Sequence, residues 1–377
     1  MDHTKFDIAI IGGGLAGLTL SIQSARAGYK TVLFEKEQYP FHRVCGEYIS
    51  LESWDFLEQL GLPLSSMQLP KIKRLEVTAP NGKTFQTSLP LGGFGISRYK
   101  LDNELAQMAK AAGVVVLENH KVIHIEFKDD QFHIQAEGKS FTSKLAVGSF
   151  GKRSNIDIKW NRSFIQHKPS KLNNYIGVKY HIETDYPDNL IALHNFKNGY
   201  CGISKIEDNR YCLCYLTTAA NLSKYNSIEK MQEAILFRNP HLKQIFTNAK
   251  FLYSSPVTIS QISFEHKTQV EQHMLLLGDA AGMITPLCGN GMSMALHSSK
   301  IAFGCIVPFL QKQITRSAME EEYQQRWQQT FALRLRTGRI IQRFFGKPAI
   351  TNLFIASFRI FPQLARPLIR LTHGERF

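Results

Sequence analysis

The chain has 377 residues, a hydrophobic fraction of 44% and a formal net charge of +14. This length predicts two interlocked domains rather than one small core, and the hydrophobic fraction is ordinary for a globular α/β protein. No run of about 18 apolar residues occurs, so we expect no transmembrane helix. The six cysteines form no C-x-x-C pair, so we expect no metal site and no redox disulfide.

The first predicted elements are a buried strand, a glycine-rich turn and a helix. Ile8–Ile11 is an uninterrupted apolar run, as a buried parallel strand requires, and G-G-G-L-A-G follows at residues 12–17. These glycines permit a tight turn, close approach to a pyrophosphate and close packing of the helix predicted at Leu15–Ala27. A second apolar run ends in an acid about 20 positions after the first glycine, where a ribose-binding carboxylate is expected. We therefore predict a dinucleotide site that includes Gly12, Gly14, Leu15, Ala16, Gly17, Glu35 and Lys36.

This first strand begins within a few residues of Met1. The arrangement leaves no room for a signal peptide, and we expect a cytoplasmic protein.

A second informative segment begins at Met274 and reads M-L-L-L-G-D-A-A-G-M-I-T-P-L-C-G-N-G. Its apolar run predicts another buried strand, and its last glycines open a helix rich in small residues. The segment resembles the second flavin-binding motif of the p-hydroxybenzoate hydroxylase and geranylgeranyl reductase superfamily. The resemblance implies that the aspartate bonds a ribityl hydroxyl of FAD and that the glycine turn passes the flavin ring. The FAD contacts implied here are Asp279, Pro286, Gly289, Asn290 and Gly291.

Three shorter segments extend the resemblance along the chain. Arg43-Val44-Cys45-Gly46 falls where the superfamily has a K-x-C-G loop near the flavin. Arg98 begins a segment similar to its R-x-x-L-D-x-x-L helix, whose arginine reaches the cofactor, and Val122 matches a position whose backbone touches adenine. The resemblance thus implies cofactor contacts at Arg43, Cys45, Gly46, Arg98 and Val122.

The resemblance implies non-covalent FAD, because no covalent-attachment sequence is found, and it suggests NAD(P)H as the electron donor. One departure bears on that donor. Phe150 stands where the superfamily has the aspartate of A-D-G-x-x-S, a carboxylate that links the FAD and NAD(P)H sites. The handling of nicotinamide therefore stays open.

The order of the motifs predicts an α/β fold in which a Rossmann-like FAD-binding domain is interleaved with an antiparallel β-sheet substrate domain, followed by C-terminal helices. We assign residues 1–70, 98–155 and 265–330 to the FAD-binding domain, 71–97 and 156–264 to the substrate domain, and 331–377 to a basic helical tail. Within the substrate domain the pattern predicts a hairpin at Leu75–Thr87, strands at Tyr175–Glu183, Leu190–Phe196, Tyr200–Ile206 and Arg210–Thr217, and a helix at Ile228–Phe237.

The basic tail, residues 331–377, holds nine lysines and arginines and a single acid, and its apolar residues recur at near-helical spacing. It either caps the FAD-binding domain with a solvated basic face or rests on anionic lipid at the inner membrane face. No nucleic-acid partner is expected, because the basic stretch belongs to no recognition fold.

Three functions remain open. The first is monooxygenation of an apolar, lipid- or polyketide-like small molecule. The second is reduction of C=C bonds, as in geranylgeranyl reductases; a cysteine such as Cys45 favours it, but the reductases' aromatic P-x-x-Y-x-W-x-F-P segment is absent. The third is a non-catalytic flavin-binding protein. A halogenase is disfavoured, because no W-x-W-x-I-P occurs.

Cys45 is the candidate catalytic residue, as a proton donor or a gate over the flavin, and simple packing of a small thiol is the alternative. His181, His194 and Tyr200 lie on predicted strands that border the substrate region. We interpret all three as core or surface residues.

Overall fold

Two β-sheets organise the molecule. A computed structural model describes residues 4–165, 174–285, 289–344, 347–364, 367, 369, 371 and 374–377. The strands of the described residues are β1 Lys5–Ile11, β2 Thr31–Phe34, β3 Tyr48–Ser50, β4 Lys71–Thr78, β5 Thr84–Gly95, β6 Val115–Leu117, β7 Val122–Lys128, β8 Gln131–Ala136, β9 Lys139–Gly148, β10 Tyr175–Glu183, β11 Leu190–Phe196, β12 Gly199–Lys205, β13 Tyr211–Thr218, β14 Lys250–Phe251, β15 Val257–Ile262, β16 Val270–Glu271 and β17 Met274–Leu276.

Helices cover both sheets. Those of the described residues are α1 Leu15–Arg26, α2 Trp54–Gln59, α3 Arg98–Ala111, α4 Asn155–Lys159, α5 Ala219–Tyr225, α6 Ile228–Ile235, α7 Pro240–Asn248, α8 Gly291–Leu310, α9 Arg316–Phe344 and α10 Pro348–Ile360.

The first sheet has the strand order β16-β17-β9-β1-β2-β6, with β7 and β8 attached beside β9. Strand β1 pairs in parallel with β2 and β9. Its residues Ile8–Ile11 are buried because the sheet is covered on both faces. Helix α1 packs against α3 and α8 on this sheet. The predicted Rossmann-like domain is therefore confirmed.

The second sheet has the order β14-β10-β13-β12-β11-β4-β5-β3, and β15 also pairs with β10. Strands β10 and β11 have the predicted bounds. The sheet is mainly antiparallel, as predicted, but β4 and β11 run parallel. They are far apart in the chain and no hairpin joins them, so their direction is not fixed by a turn. Strand β3 belongs to this sheet, although its residues fall in the range we assigned to the FAD-binding domain.

The C-terminal helices do not begin at the boundary predicted for the basic tail. Helix α9 crosses residue 331 without a break, and Trp327, Phe331 and Leu335 are buried in the core of the first sheet. Helix α10 packs instead on the second sheet, where Phe358 contacts Phe85. The first part of the predicted tail is thus core, and the later part lies against the other sheet.

Helix α8 is the one helix of the described chain long and apolar enough to cross a membrane by length and composition. Half of its apolar window is buried, and it packs between α1 and α9. Contact with these two helices accounts for its apolar composition, which is typical of a core helix.

Candidate flavin site

A cavity of about 900 Å³ lies between the two sheets. Its walls come from the ends of β1 and β2, from the segments after β2, β9 and β17, and from the second sheet. The predicted site residues that line it are Gly12, Gly14, Leu15, Ala16, Glu35, Lys36, Arg43, Cys45, Gly46, Arg98, Val122, Asp279, Gly289, Asn290 and Gly291. Gly17 is buried beneath the turn instead, and Pro286 lies outside the described residues.

The glycine turn leaves backbone groups facing this cavity. Gly12 has a φ of +105°, and a Cβ there would lie 2.5 Å from the carbonyl oxygen of Ser149. Gly14 is the N-cap of α1, and no side chain caps the helix there. A Cβ added at Gly14 would have only one neighbouring atom within 4 Å, a guanidinium nitrogen of Arg98 at 3.7 Å. The N-terminus of α1 therefore lines the cavity beside a cation. A diphosphate group fits such a helix N-terminus.

Two arginines and two acids fix the charge around the turn. Arg43 donates to Glu35 at 2.8 Å and to Asp102 at 3.1 Å, and Arg98 donates to Asp102 at 2.6 Å. Glu35 also accepts the N–H of Gly13 at 2.9 Å. Asp102 is almost fully buried between the two guanidinium groups. These bonds already hold both guanidinium groups in place. Binding an anion would therefore cost little further side-chain conformational entropy.

The segment around Asp279 is held by a lysine that the motifs did not indicate. The buried Lys267 donates from Nζ to the carbonyl oxygens of Asp279 and Lys152, each at 2.8 Å. Burial lowers the pKa of Lys267 to about 8, against the opposing effect of Asp157 and Asp279. One ammonium group thus joins two segments of the cavity wall. No local sequence signal marks it, because its neighbours are ordinary polar residues.

The part of the cavity formed by the second sheet is mostly apolar. Leu193, Leu216 and Ile262 of this sheet lie on its wall together with Tyr200, and Met283, from the segment after β17, lies beside them. Tyr200 is therefore a cavity residue rather than only a core residue. An apolar wall of this kind excludes water and is typical of small-molecule sites.

The two histidines interpreted as core or surface residues are both buried and away from the wall. His181 bonds the Glu47 carboxylate and the Tyr253 hydroxyl. His194 lies 3.0 Å from Thr78 Oγ1, and burial lowers the pKa of His194 to about 3. Both side chains have partners within the fold.

Two clusters in the described part of the chain have the residue types of a metal site. The first is Glu47, His181 and Cys212, and the second is Glu76, His194 and His241. In each, the carboxylate is already bonded within the protein, to Lys179 and to Gln86 respectively. An ammonium group beside the carboxylate disfavours a cation in the first cluster. The absence of metal stays an expectation.

Comparison with known proteins shows the family to which the chain belongs. A family model described as an FAD binding domain matches residues 5–303. The chain belongs to this FAD-binding family. The glycine turn, the two arginines and Asp279 at the wall of the cavity are chemically compatible with FAD, which carries a diphosphate and a polyol chain.

Relatives in this family carry different names. Conditioned medium factor receptor 1 of Dictyostelium discoideum is 24% identical, over 100% of this chain and 76% of that protein. A digeranylgeranylglycerophospholipid reductase of Methanococcus vannielii is 23% identical, over 86% of this chain and 83% of that protein. An FAD-dependent monooxygenase of Penicillium crustosum is 24% identical, over 95% of this chain and 83% of that protein.

Solved structures show the same fold. A flavin-dependent brominase aligns with a TM-score of 0.79 and 19% identity, over 98% of this chain and 93% of that one. A geranylgeranyl bacteriochlorophyll reductase-like protein from Thermoplasma acidophilum aligns with a TM-score of 0.75 and 14% identity, over 98% of this chain and 92% of that one. Family and relatives together identify this chain as an FAD-dependent oxidoreductase.

Proposed function

We propose that this FAD-dependent oxidoreductase is a monooxygenase that hydroxylates or epoxidises an apolar, lipid- or polyketide-like substrate. The observation that carries the proposal is the apolar wall of the cavity, with Leu193, Leu216, Ile262 and Met283. The overall reaction would consume O₂, NAD(P)H and one proton, and would yield oxygenated substrate, water and NAD(P)⁺. The relative from Penicillium crustosum, named an FAD-dependent monooxygenase, supports this class.

In this proposal FAD supplies the redox chemistry, and the protein binds, orients and excludes water. Residues Gly12–Ala16, with Arg43 and Arg98, would hold the diphosphate. Asp279 would bond the ribityl chain. The apolar wall would orient the substrate and keep water from the reacting atoms.

The second candidate, reduction of a C=C bond, is favoured by the position of Cys45. Its thiol is partly exposed at the cavity wall, between the arginine and the glycine of the predicted loop. It would supply a proton to the reduced carbon or act as a gate. The relative from Methanococcus vannielii, named a reductase, supports this class.

Isotope labelling separates the two candidates. Candidate substrates are screened with the FAD-loaded protein and NADPH under ¹⁸O₂, and products are analysed by mass spectrometry. We expect one ¹⁸O atom in the product. A product two mass units heavier with no label, formed equally well without O₂, would identify the reductase. NADPH oxidation in air without product would contradict both.

The third function left open by the sequence, a non-catalytic flavin-binding protein, is disfavoured by the enzymes among the relatives, although the relative from Dictyostelium discoideum is named a receptor. In that case the protein would bind FAD, yet reduced nicotinamide would not bleach it. Anaerobic titration with NADPH and with NADH therefore tests both this alternative and the donor. Replacing Phe150 by Asp should strengthen the response if the missing carboxylate limits the donor site.

We also propose that the protein is cytoplasmic and takes its substrate at an anionic membrane surface. Seven of the eleven exposed large apolar side chains in the described residues lie between residues 333 and 371. They include Leu353, Phe354, Ile360 and Phe361, and the exposed Lys347 and Arg359 lie among them. Each such cation near an anionic surface contributes about 1 kcal/mol, and salt screens that attraction.

Vesicle sedimentation tests this membrane contact. We expect partition onto phosphatidylserine vesicles that falls at high salt, and weak partition onto phosphatidylcholine. The double variant Leu353→Ser/Phe361→Ser should bind less. Ile123→Ser, which removes an exposed apolar side chain elsewhere, is the matched control and should bind as well as the unmodified protein. Equal partition onto both lipids, or none, would contradict the proposal.

A further inference from the structure

The segment Arg43–Glu47 belongs to the FAD-binding half of the chain but is held by side chains of the second sheet. Lys179 Nζ lies 3.2 Å from the carbonyl oxygen of Arg43. Cys212 Sγ lies 3.2 Å from the carbonyl oxygen of Cys45, and Ser204 Oγ lies 3.3 Å from that of Gly46. Three strands, β10, β12 and β13, therefore supply donors to one short segment.

Glu47 completes these contacts. It is fully buried and has a φ of +55°, a conformation that is uncommon for a residue with a Cβ. Its carboxylate accepts bonds from Lys179 Nζ and His181 Nε2, and from the backbone N–H of Arg98 at 2.8 Å. The same carboxylate thus ties together the segment, the second sheet and the first turn of α3.

Lys179 is equally buried, with no exposed side-chain surface. Although burial opposes both charges, Lys179 and His181 hold the pKa of Glu47 at about 2, and Glu47 raises the pKa of Lys179. Val178 and Tyr180 on the same strand point the other way, into an apolar cluster. The strand therefore presents two polar side chains to the segment and apolar ones to the helices.

A buried ion pair of this kind adds little net stability over well-packed apolar residues, because both charges lose their hydration. Its main effect is instead on geometry, because hydrogen bonds between charged groups fix the positions of the atoms that they join. Apolar contacts tolerate small shifts of the segment, whereas an ammonium group that also bonds the Arg43 carbonyl fixes the backbone on both sides of Cys45. The thiol of Cys45 lies between these two fixed points.

We propose that Lys179 and Glu47 are positioning residues that hold Cys45 at the cavity wall and make its placement depend on the substrate sheet. The proposal rests on the proposed function in placing this segment beside the flavin. Any displacement of β10 would be transmitted to the Cys45 segment through the contacts of Lys179 with the Arg43 carbonyl and the Glu47 carboxylate.

The experiment measures the alkylation rate of Cys45 by iodoacetamide in full-length, FAD-loaded protein, with site-resolved mass spectrometry. In Lys179→Met we expect alkylation about tenfold faster, because the free energy of opening the segment falls. Thermal stability should fall too, since the buried Glu47 carboxylate loses its ammonium partner and keeps only His181 and the Arg98 N–H. The double variant Glu47→Gln/Lys179→Met should recover most of the stability and keep the fast alkylation.

Two controls separate positioning from a general loss of stability. Val178→Ala removes a buried methyl pair from the opposite face of β10, and it should lower the melting temperature without faster alkylation. Lys205→Met removes the lysine of an outer ion pair with Asp188, and it should change neither property. Unchanged alkylation in both Lys179 variants, or equal acceleration in Val178→Ala, would overturn the proposal. The alkylation and melting measurements need no catalytic turnover, so they test the positioning role even if the protein proves not to be an oxygenase.

Discussion

The two halves of the cavity wall are built in different ways. Around the glycine turn the contacts are backbone N–H groups and charges already paired with one another, such as Arg98 with Asp102. On the second sheet the wall is apolar, with side chains such as Leu193 and Leu216. The first half is suited to one fixed ligand, because its groups match a diphosphate, whereas the second selects by shape and volume. Substitutions in the first half should therefore change FAD affinity, and those in the second should change substrate preference alone.

The largest effect is expected at Gly12. An alanine Cβ would meet the Ser149 carbonyl oxygen at 2.5 Å, and the positive φ adds strain. Gly12→Ala should lower FAD affinity by more than about 100-fold in apoprotein titration. Gly28→Ala is the matched control, since Gly28 has a φ of +87° with no atom within 4 Å. It should cost about 1 kcal/mol of unfolding free energy and leave affinity unchanged. Equal affinity losses would contradict the steric explanation.

A smaller loss is expected for Asp279→Ala. The variant removes an ionised acceptor from the proposed ribityl contact, worth about 1.5–3 kcal/mol. FAD affinity should fall about ten- to a hundredfold, measured by fluorescence titration. Asp188→Ala, which removes an exposed carboxylate paired with Lys205, should bind FAD normally. Unchanged affinity in Asp279→Ala would remove this residue from the site.

The substrate half should respond differently. Leu193→Phe adds volume to the apolar wall, so KM for a bulky substrate should rise about tenfold while FAD affinity stays the same. Leu333→Phe changes an exposed leucine and should alter neither value. A parallel loss of FAD affinity in Leu193→Phe would show that the two halves are not independent.

The smallest expected effect is on the pH dependence of the unfolding free energy in acid. The pKa of Glu47 in the folded protein is about 2, below its ordinary value of 4.5. Its charge therefore stabilises the fold fully above pH 4.5, and this contribution is lost as pH falls from 4.5 towards 2. The unfolding free energy of Glu47→Gln/Lys179→Met should depend less on pH in that range, measured by urea titration. Identical pH profiles would contradict the assigned ion pair.

Much of the fold is predictable because its signals are local. The bounds of β10 and β11 follow from short runs of strand-forming residues bounded by turns. The glycine turn at Gly12 and the motif at Asp279 likewise place their chemistry within a few residues. The parallel pairing of β4 with β11 is not predictable in this way, because it joins segments that no turn connects.

The missed site residues share a physical reason. Lys267 and the Glu47–Lys179 pair act through contacts with residues distant in sequence. A buried lysine has the same local sequence signature as a surface one. Only the assembled sheets show which charges are buried, and therefore which ones position the wall.

The parallel pair β4–β11 has a consequence for biosynthesis. Strand β4 leaves the ribosome well before its partner β11, and the strand that carries Asp279 to the cavity, β17, emerges later still. Contacts of such high sequence separation form slowly and only after the intervening chain is made. We therefore expect the nascent chain to expose an unpaired edge of β4 during translation, and cofactor uptake to be a late step in maturation. Truncated chains that end before residue 274 should emerge without flavin and should depend on chaperones to stay dispersed.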